Sequence, residues 1–252
     1  MARYRINLAW STAAIILSCS FTCSIAAAPS SPTPVLVELF TSEGCSSCPP
    51  ADRLLESLDK NEPLPGIDVI VMSEHVDYWN HDGWVDPFSS AEFTERQNAY
   101  DLRFRLPQIY TPQMVVDGNH QCVGSEVAEA EDLIRKAAQQ PKLVTRIGSG
   151  AHVGSVAIEV DGEAPVAHRA DVYAALAEND AQSDVLAGEN RGLKLHHVAI
   201  VRKLRKLGKL DKNASFRGEL SVTSFAGGRV IVFVQDPASG QVLGAAMYRI
   251  PK

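Results

Sequence analysis

Val35-Leu36-Val37-Glu38-Leu39-Phe40 is a short apolar run. A polar loop follows, and then Pro49-Pro50-Ala51-Asp52-Arg53-Leu54-Leu55-Glu56-Ser57-Leu58, whose leucines recur at helical spacing. The pattern predicts a strand and then a helix. Asn61 to Gly66 is a turn rich in Pro and Gly, and Ile67 to Met72 is a second short β-branched run, predicted as a buried strand. The polar–aromatic segment from Glu74 to Pro87 breaks both periodicities and predicts an ordered loop. Ser89 or Ser90 can then cap a helix over roughly Ala91 to Phe104, with Glu92 in its first turn. Thr111 to Val116 predicts a strand that opens on proline, where proline is tolerated. Asp117-Gly118 is a two-residue hairpin signal, with Asn119 to Val123 as the returning strand. Ser125 caps a further helix from about Glu126 to Gln139.

Beyond Pro141 the helical spacing disappears. Val153 to Val160, Arg169 to Ala174, Leu195 to Val201, Phe216 to Val222, Arg229 to Val234 and Gln241 to Ile250 each predict a strand. Short strands at this spacing, with no helix between them, predict a small β-sandwich over 143–252. The basic run Arg202 to Lys209 is predicted as a solvated strand end and turn.

The N-terminus has a separate character. Arg3 and Arg5 precede an apolar stretch from Leu8 to Leu17, and Ala26-Ala27-Ala28 offers small residues for cleavage. Residues 1–28 therefore predict a secretory signal peptide and a periplasmic or secreted protein. A rival expectation is lipid anchoring at Cys19. Nothing later in the chain approaches an integral membrane segment. Two arginines and no acids leave with the signal, so the net charge moves from −6 to −8. An acidic chain with no dominant basic face excludes nucleic acid as an expected partner.

Composition adds little, but the cysteines add chemistry. Of five, Cys19 and Cys23 leave with the signal; Cys45, Cys48 and Cys122 remain, in a compartment where disulfides persist. Cys45-Ser46-Ser47-Cys48 lies between a predicted strand and a predicted helix. A helix N-terminus favours thiolate over thiol, and two thiols three positions apart can close a disulfide, so Cys45 attacks and Cys48 resolves. That is thiol–disulfide oxidoreductase chemistry without a dissociable cofactor. Two alternatives stay open: a binding module whose bridge is structural, and a metal-binding protein using His75, Asp77, His81 and Asp82. His75 can move protons near neutrality, Asp77 can orient it, and Tyr78, Trp79 and Trp84 can line a groove. Counting across a two-residue hairpin sets Cys122 opposite Gln113, either as a buried free cysteine or as a third thiol that receives the disulfide from Cys48.

The order of elements, with Cys45-Ser46-Ser47-Cys48 at the first helix start and Thr111-Pro112 before the hairpin, resembles the thioredoxin superfamily over about 33–140. The resemblance implies an α/β thioredoxin-like domain followed by the smaller all-β domain, and a cis Thr111-Pro112 bond lying against the two thiols. The segments F-T-S-E-G-C-S-S-C-P-P, E-H-V-D-Y-W, Y-T-P-Q and D-G resemble, more closely, the secreted thioredoxin-like domain-of-unknown-function family 1223. The substrate implied is a protein or small-thiol disulfide, served by a further redox partner. The catalytic set expected is Cys45, Cys48, Thr111 and Pro112, supported by His75, Asp77, Tyr78, Trp79 and Cys122, with no metal.

Overall fold

Every residue of the first apolar run is buried, and both faces of the strand it forms are covered. In the computed structural model, which describes residues 1, 31–61, 64–81, 83–162, 170–211 and 213–252, β1 spans Thr33–Thr41. The expected signal peptide and Cys19 lie outside the described residues. Helix α1 follows over Pro49–Asn61, opening on proline, whose missing N–H has no helical partner there in any case. Strand β2 is Ile67–His75 and runs parallel to β1, with Thr41 opposite His75. Helix α2 is Ala91–Phe104; the Ser90 side chain caps it by accepting from Glu92 N, and Arg105 ends it in the left-handed region. Strands β3 (Gln113–Val116) and β4 (His120–Val123) form the hairpin, and α3 is Val127–Ala137.

The hairpin loop is one residue longer than expected. Val116 faces His120 and Met114 faces Cys122, so Asp117, Gly118 and Asn119 form the turn and Cys122 does not face Gln113. Long-range bonding explains this. Asp117 N donates to Leu36 O at 2.8 Å, continuing the β1–β3 ladder, and Asp117 O accepts from Val242 N at 2.8 Å. The Asp117 carboxylate in turn accepts from Leu36 N at 3.0 Å.

The second half supplies β5 (Val144–Ser149), β6 (Ser155–Asp161), β7 (Asp171–Asp184), β8 (Lys194–Lys209), β9 (Phe216–Ser221), β10 (Arg229–Gln235) and β11 (Val242–Arg249). The expected thioredoxin-like domain followed by a separate all-β sandwich does not form. One mixed sheet of eight strands runs in the order β11-β10-β7-β8-β2-β1-β3-β4, and β5-β6-β9 make a second sheet of three. Strand β2 buries both Val69 and Val71 on one face and both Ile70 and Met72 on the other. Such a central strand needs partners on both edges, and β8 pairs with its free edge in parallel, with Ser73 opposite Ile200. Residues 31–252 are one compact unit.

The basic run is likewise strand, since β8 continues to Lys209. Lys206 reaches Asp171 at 2.6 Å, and Arg202 reaches Glu178 at 3.4 Å. Three of the four hydrophobic cores among the described residues follow from the alternation of strand residues. Ala51, Leu55 and Leu58 of α1 pack with Ala130 and Ile134 of α3 on Val35, Val37 and Leu39. Phe93 of α2 packs with Leu36, Ile70, Met72 and Phe233. Val156, Ile158 and Val160 of the small sheet pack on Val230, Val232 and Val234 of the large one. Each of these Val, Leu, Ile, Met or Phe side chains contributes about 1.5–3 kcal/mol on burial.

Candidate functional site

Because β1 and β2 are parallel neighbours, the loops leaving Thr41 and His75 rise from one sheet edge, where sites of α/β sheets collect. Val76 N donates to Thr41 O at 2.9 Å and ties the two loops at their roots. The first loop carries Cys45 and Cys48, joined as a disulfide with Cα atoms 5.4 Å apart. Helix α1 begins immediately after Cys48, and Cys48 O accepts from Ala51 N and Asp52 N. Cys48, rather than Cys45, therefore abuts the helix N-terminus. Both cysteines are fully buried, whereas Ser46 and Ser47 between them are exposed.

Neighbouring segments close around this loop. A Cβ at Gly44 would stand 3.0 Å from Trp79 Cβ, so glycine here lets the Trp79 backbone lie against the chain just before Cys45. Trp79 Nε1 donates to Thr111 Oγ1 at 2.8 Å. The Thr111-Pro112 bond is cis. Ser47 Oγ lies 3.4 Å from both Cys45 Sγ and Thr111 O. Pro112 sits over Gly124 beside Ala51 of α1, where an added Cβ would meet Leu39, Ala51 and Pro112 within 3.3 Å.

Beneath the loop is a buried cluster of ionisable groups. Glu43 N donates to Asp86 Oδ2 at 2.9 Å, and the Glu43 carboxylate accepts from Trp84 Nε1 at 2.8 Å. His197 Nε2 lies 3.3 Å from Glu43 Oε1, and its Nδ1 lies 3.8 Å from Asp52 Oδ2. His75 Nδ1 faces Asp86 Oδ2 at 2.7 Å, and the His75 ring meets the His197 ring edge to face at 4.6 Å. Burial alone would lower the His197 pKa, but the negative carboxylates of Asp52, facing Nδ1, and of Glu43, bonded to Nε2, outweigh it and raise the group to about 10. Burial would raise Asp86, yet the His75 ring beside it and backbone N–H donors hold it below the usual carboxylate range. Asp52 Oδ2, His75 Nε2 and His197 Nδ1 have no hydrogen-bond partner among the described residues. Strained electrostatics of this kind gather at functional sites.

The family described as protein of unknown function (DUF1223) matches residues 36–235, from the middle of β1 to the end of β10. The chain belongs to the DUF1223 family. It is also similar to an X-ray crystal structure of the protein AGR_C_4864 from Agrobacterium tumefaciens, at 28% identity and a TM-score of 0.73. That match covers 89% of this chain and 97% of the other. HBP35 of Porphyromonas gingivalis shares the fold at 18% identity and a TM-score of 0.63, covering 88% of this chain and 76% of the other. A search of curated proteins found no match.

In this DUF1223 chain the structure gathers Cys45, Cys48, Thr111, Pro112 and Trp79 at one edge. It separates others that the sequence had joined. Asp77 does not orient His75: its Oδ1 accepts from Thr94 Oγ1 at 2.6 Å, and Asp86 takes its place. Tyr78 donates to Gln97 at 3.2 Å, and burial pushes its phenol up to about 12. Cys122 is buried in the core of α1 and α3, where desolvation pushes its thiol up to about 12, the opposite of a reactive thiol. No group of three or more His, Cys, Asp or Glu residues among those described is arranged to hold a metal ion.

Glu43, Asp52, Asp86, Asn190 and His197 escaped the sequence reading. Asp52 did leave a signal, as a carboxylate on the apolar face shared by Ala51 and Leu55. Asn190 and His197 are some 150 residues away in sequence and left none.

Proposed function

We propose that this DUF1223 protein is an exported thiol–disulfide oxidoreductase, exchanging the Cys45–Cys48 pair with protein or small-molecule disulfides through a further redox partner. The observation that carries the reading is the closed CxxC bridge between a strand end and a helix start, flanked by Thr111-Pro112 and Trp79. In the reduced pair, the Cys45 thiolate attacks one sulfur of the substrate disulfide. The second substrate sulfur leaves and takes a proton from solvent, and a mixed disulfide remains on Cys45. Cys48, its proton lost to solvent, then attacks Cys45 Sγ, closes the bridge and releases as a thiolate the substrate sulfur that was first attacked, so two electrons pass to the substrate. The Ser47 hydroxyl is close enough to donate to the Cys45 thiolate. The helix start beside Cys48 favours its thiolate, the form that must leave when the bridge is reopened.

The test is equilibration of the pair with glutathione buffers and reduction of insulin by the mature protein. Expected outcomes are a measurable potential, insulin reduction lost in Cys45→Ser, and a mixed disulfide trapped on Cys45 in Cys48→Ser. The burial of both cysteines favours a second reading, a binding module with a structural bridge. Under that reading the pair stays oxidised in the folded protein at excess dithiothreitol, and no insulin is reduced.

A further inference from the structure

We propose that residues 185–193, the connection between β7 and β8, form a strap that controls access to the Cys45–Cys48 bridge, with Asn190 as its latch; this rests on the exchange reading above. The strap is folded on itself. Gly192 N donates to Val185 O at 2.8 Å, Val185 N to Leu193 O at 3.0 Å, and Leu193 N to Asn190 O at 3.1 Å. It meets the CxxC loop through three bonds to backbone groups. Asn190 Nδ2 donates to Glu43 O at 2.8 Å and to Cys45 O at 2.9 Å. Glu189 Oε2 accepts from Ser46 N at 3.2 Å.

Two residues of the strap are buried, Val185 at 1% exposure beside the end of β7 and Asn190 at 3%, while Leu186 is 71% and Leu193 is 47% exposed. The stretch from Leu186 to Leu193, held over the loop by three neutral or singly charged hydrogen bonds and, apart from Asn190, half-buried or exposed, opens at modest cost, because each bond is exchanged for one to water. Closed, it occupies the Cys45 carbonyl and the Ser46 N–H, and in this arrangement both cysteines have no exposed surface. An attacking thiolate must reach a sulfur along the S–S axis, so opening precedes attack. Asn190 Nδ2 uses both of its hydrogens on the two carbonyls. An aspartate there would set a carboxylate oxygen against them, with no donor.

The experiment follows reduction of the oxidised full-length mature protein by increasing dithiothreitol, quenched with iodoacetamide and read by mass as alkylated thiols. In the wild type the rate should level off at high dithiothreitol, at the strap-opening rate. Asn190→Asp and Asn190→Ala should be reduced at least tenfold faster at low dithiothreitol, with no plateau. Glu189→Gln, an exposed change that leaves the latch in place, should give a smaller acceleration. Hydrogen exchange of the wild-type peptide 185–193 supplies a measure independent of any variant's folding: opening at the plateau rate supports the strap. The proposal is overturned if wild-type reduction is linear in dithiothreitol throughout, or if both Asn190 variants react at the wild-type rate. None of these readouts uses insulin or glutathione, so the strap can stand where exchange activity fails, and the reverse.

Discussion

Glu74 and His75 are consecutive on β2, so their side chains leave opposite faces of the sheet. Each enters a buried cluster of charged groups, and the two clusters are built on different principles. On the α2 face, Arg96 donates to Glu38 at 2.6 Å, Tyr100 donates to the other Glu38 oxygen at 2.6 Å, and Gln235 donates to Tyr100 at 2.8 Å. One carboxylate faces one guanidinium, and the bonds bind α2 to β1 and β10. The spare carboxyl, Glu74, lies 3.4 Å from Arg96, without a hydrogen bond. Burial and the neighbouring Glu38 push its pKa well up, which favours the uncharged acid. On the α1 face, a charged His197 stands among Glu43, Asp52 and the His75–Asp86 pair, and three polar atoms have no hydrogen-bond partner among the described residues. The first cluster sheds its excess charge and acts as a fastener. The second keeps it, next to the disulfide loop that Glu43 belongs to. A buried charge kept where a neutral group would fit is the stronger functional pointer.

The largest effect that separates the two is loss of the guanidinium. Arg96→Met leaves Glu38 buried without its cation, and uncompensated buried charge costs about 3–5 kcal/mol. Urea unfolding should show that loss, while the potential of the Cys45–Cys48 pair in the folded variant stays at its wild-type value. A shifted potential would mean that the α2 cluster also belongs to the site.

The α1 cluster should declare itself through pH. His197 has a folded pKa of about 10, above the unfolded value of about 6.5. Its contribution is therefore complete below pH ~6.5 and lost as pH climbs through about 10. It falls by about 1.4 kcal/mol per unit between them, leaving about 2–3 kcal/mol at pH 8. Urea melts from pH 6 to pH 10 should show that slope in the wild type and a flatter one in His197→Gln. Equal slopes would remove the charged imidazolium from the account.

How far each cluster was legible in the sequence follows from the range of its contacts. Strands and helices governed by local periodicity were readable: α2 runs from Ala91 to Phe104, as its cap and spacing predict. The disulfide loop was readable as well, and so was the Thr111-Pro112 segment that meets it. Sheet membership was not, because a strand's choice of partner is non-local. Nothing in Leu195 to Val201 says that Ile200 will lie beside Ser73. His75 was noticed, but its partner was misassigned to Asp77, two residues on, because loop geometry gives Asp77 to Thr94 and brings Asp86 back from eleven residues on. Glu38 was visible as an acid inside an apolar run, the same kind of anomaly as Asp52, whereas Glu74 was read as the start of the polar loop and lies in β2. Only the register Phe40↔Glu74 shows that Glu38 and Glu74 share a face.

The smallest effect bears on the α2 cluster's spare carboxyl. Since the folded Glu74 pKa lies above the ordinary carboxylate value, the group subtracts from stability once pH exceeds that value, and the deficit grows with pH until the folded pKa is reached. Glutamine is nearly the same shape as the protonated acid and cannot ionise. Glu74→Gln should therefore leave stability unchanged at pH 4 and raise it at pH 8. Paired urea melts at the two pH values measure the difference. Destabilisation at pH 8 would mean that Glu74 is ionised and bound to Arg96, and both clusters would then hold their full charge. In that event the contrast between fastener and site would rest on the position of the disulfide alone.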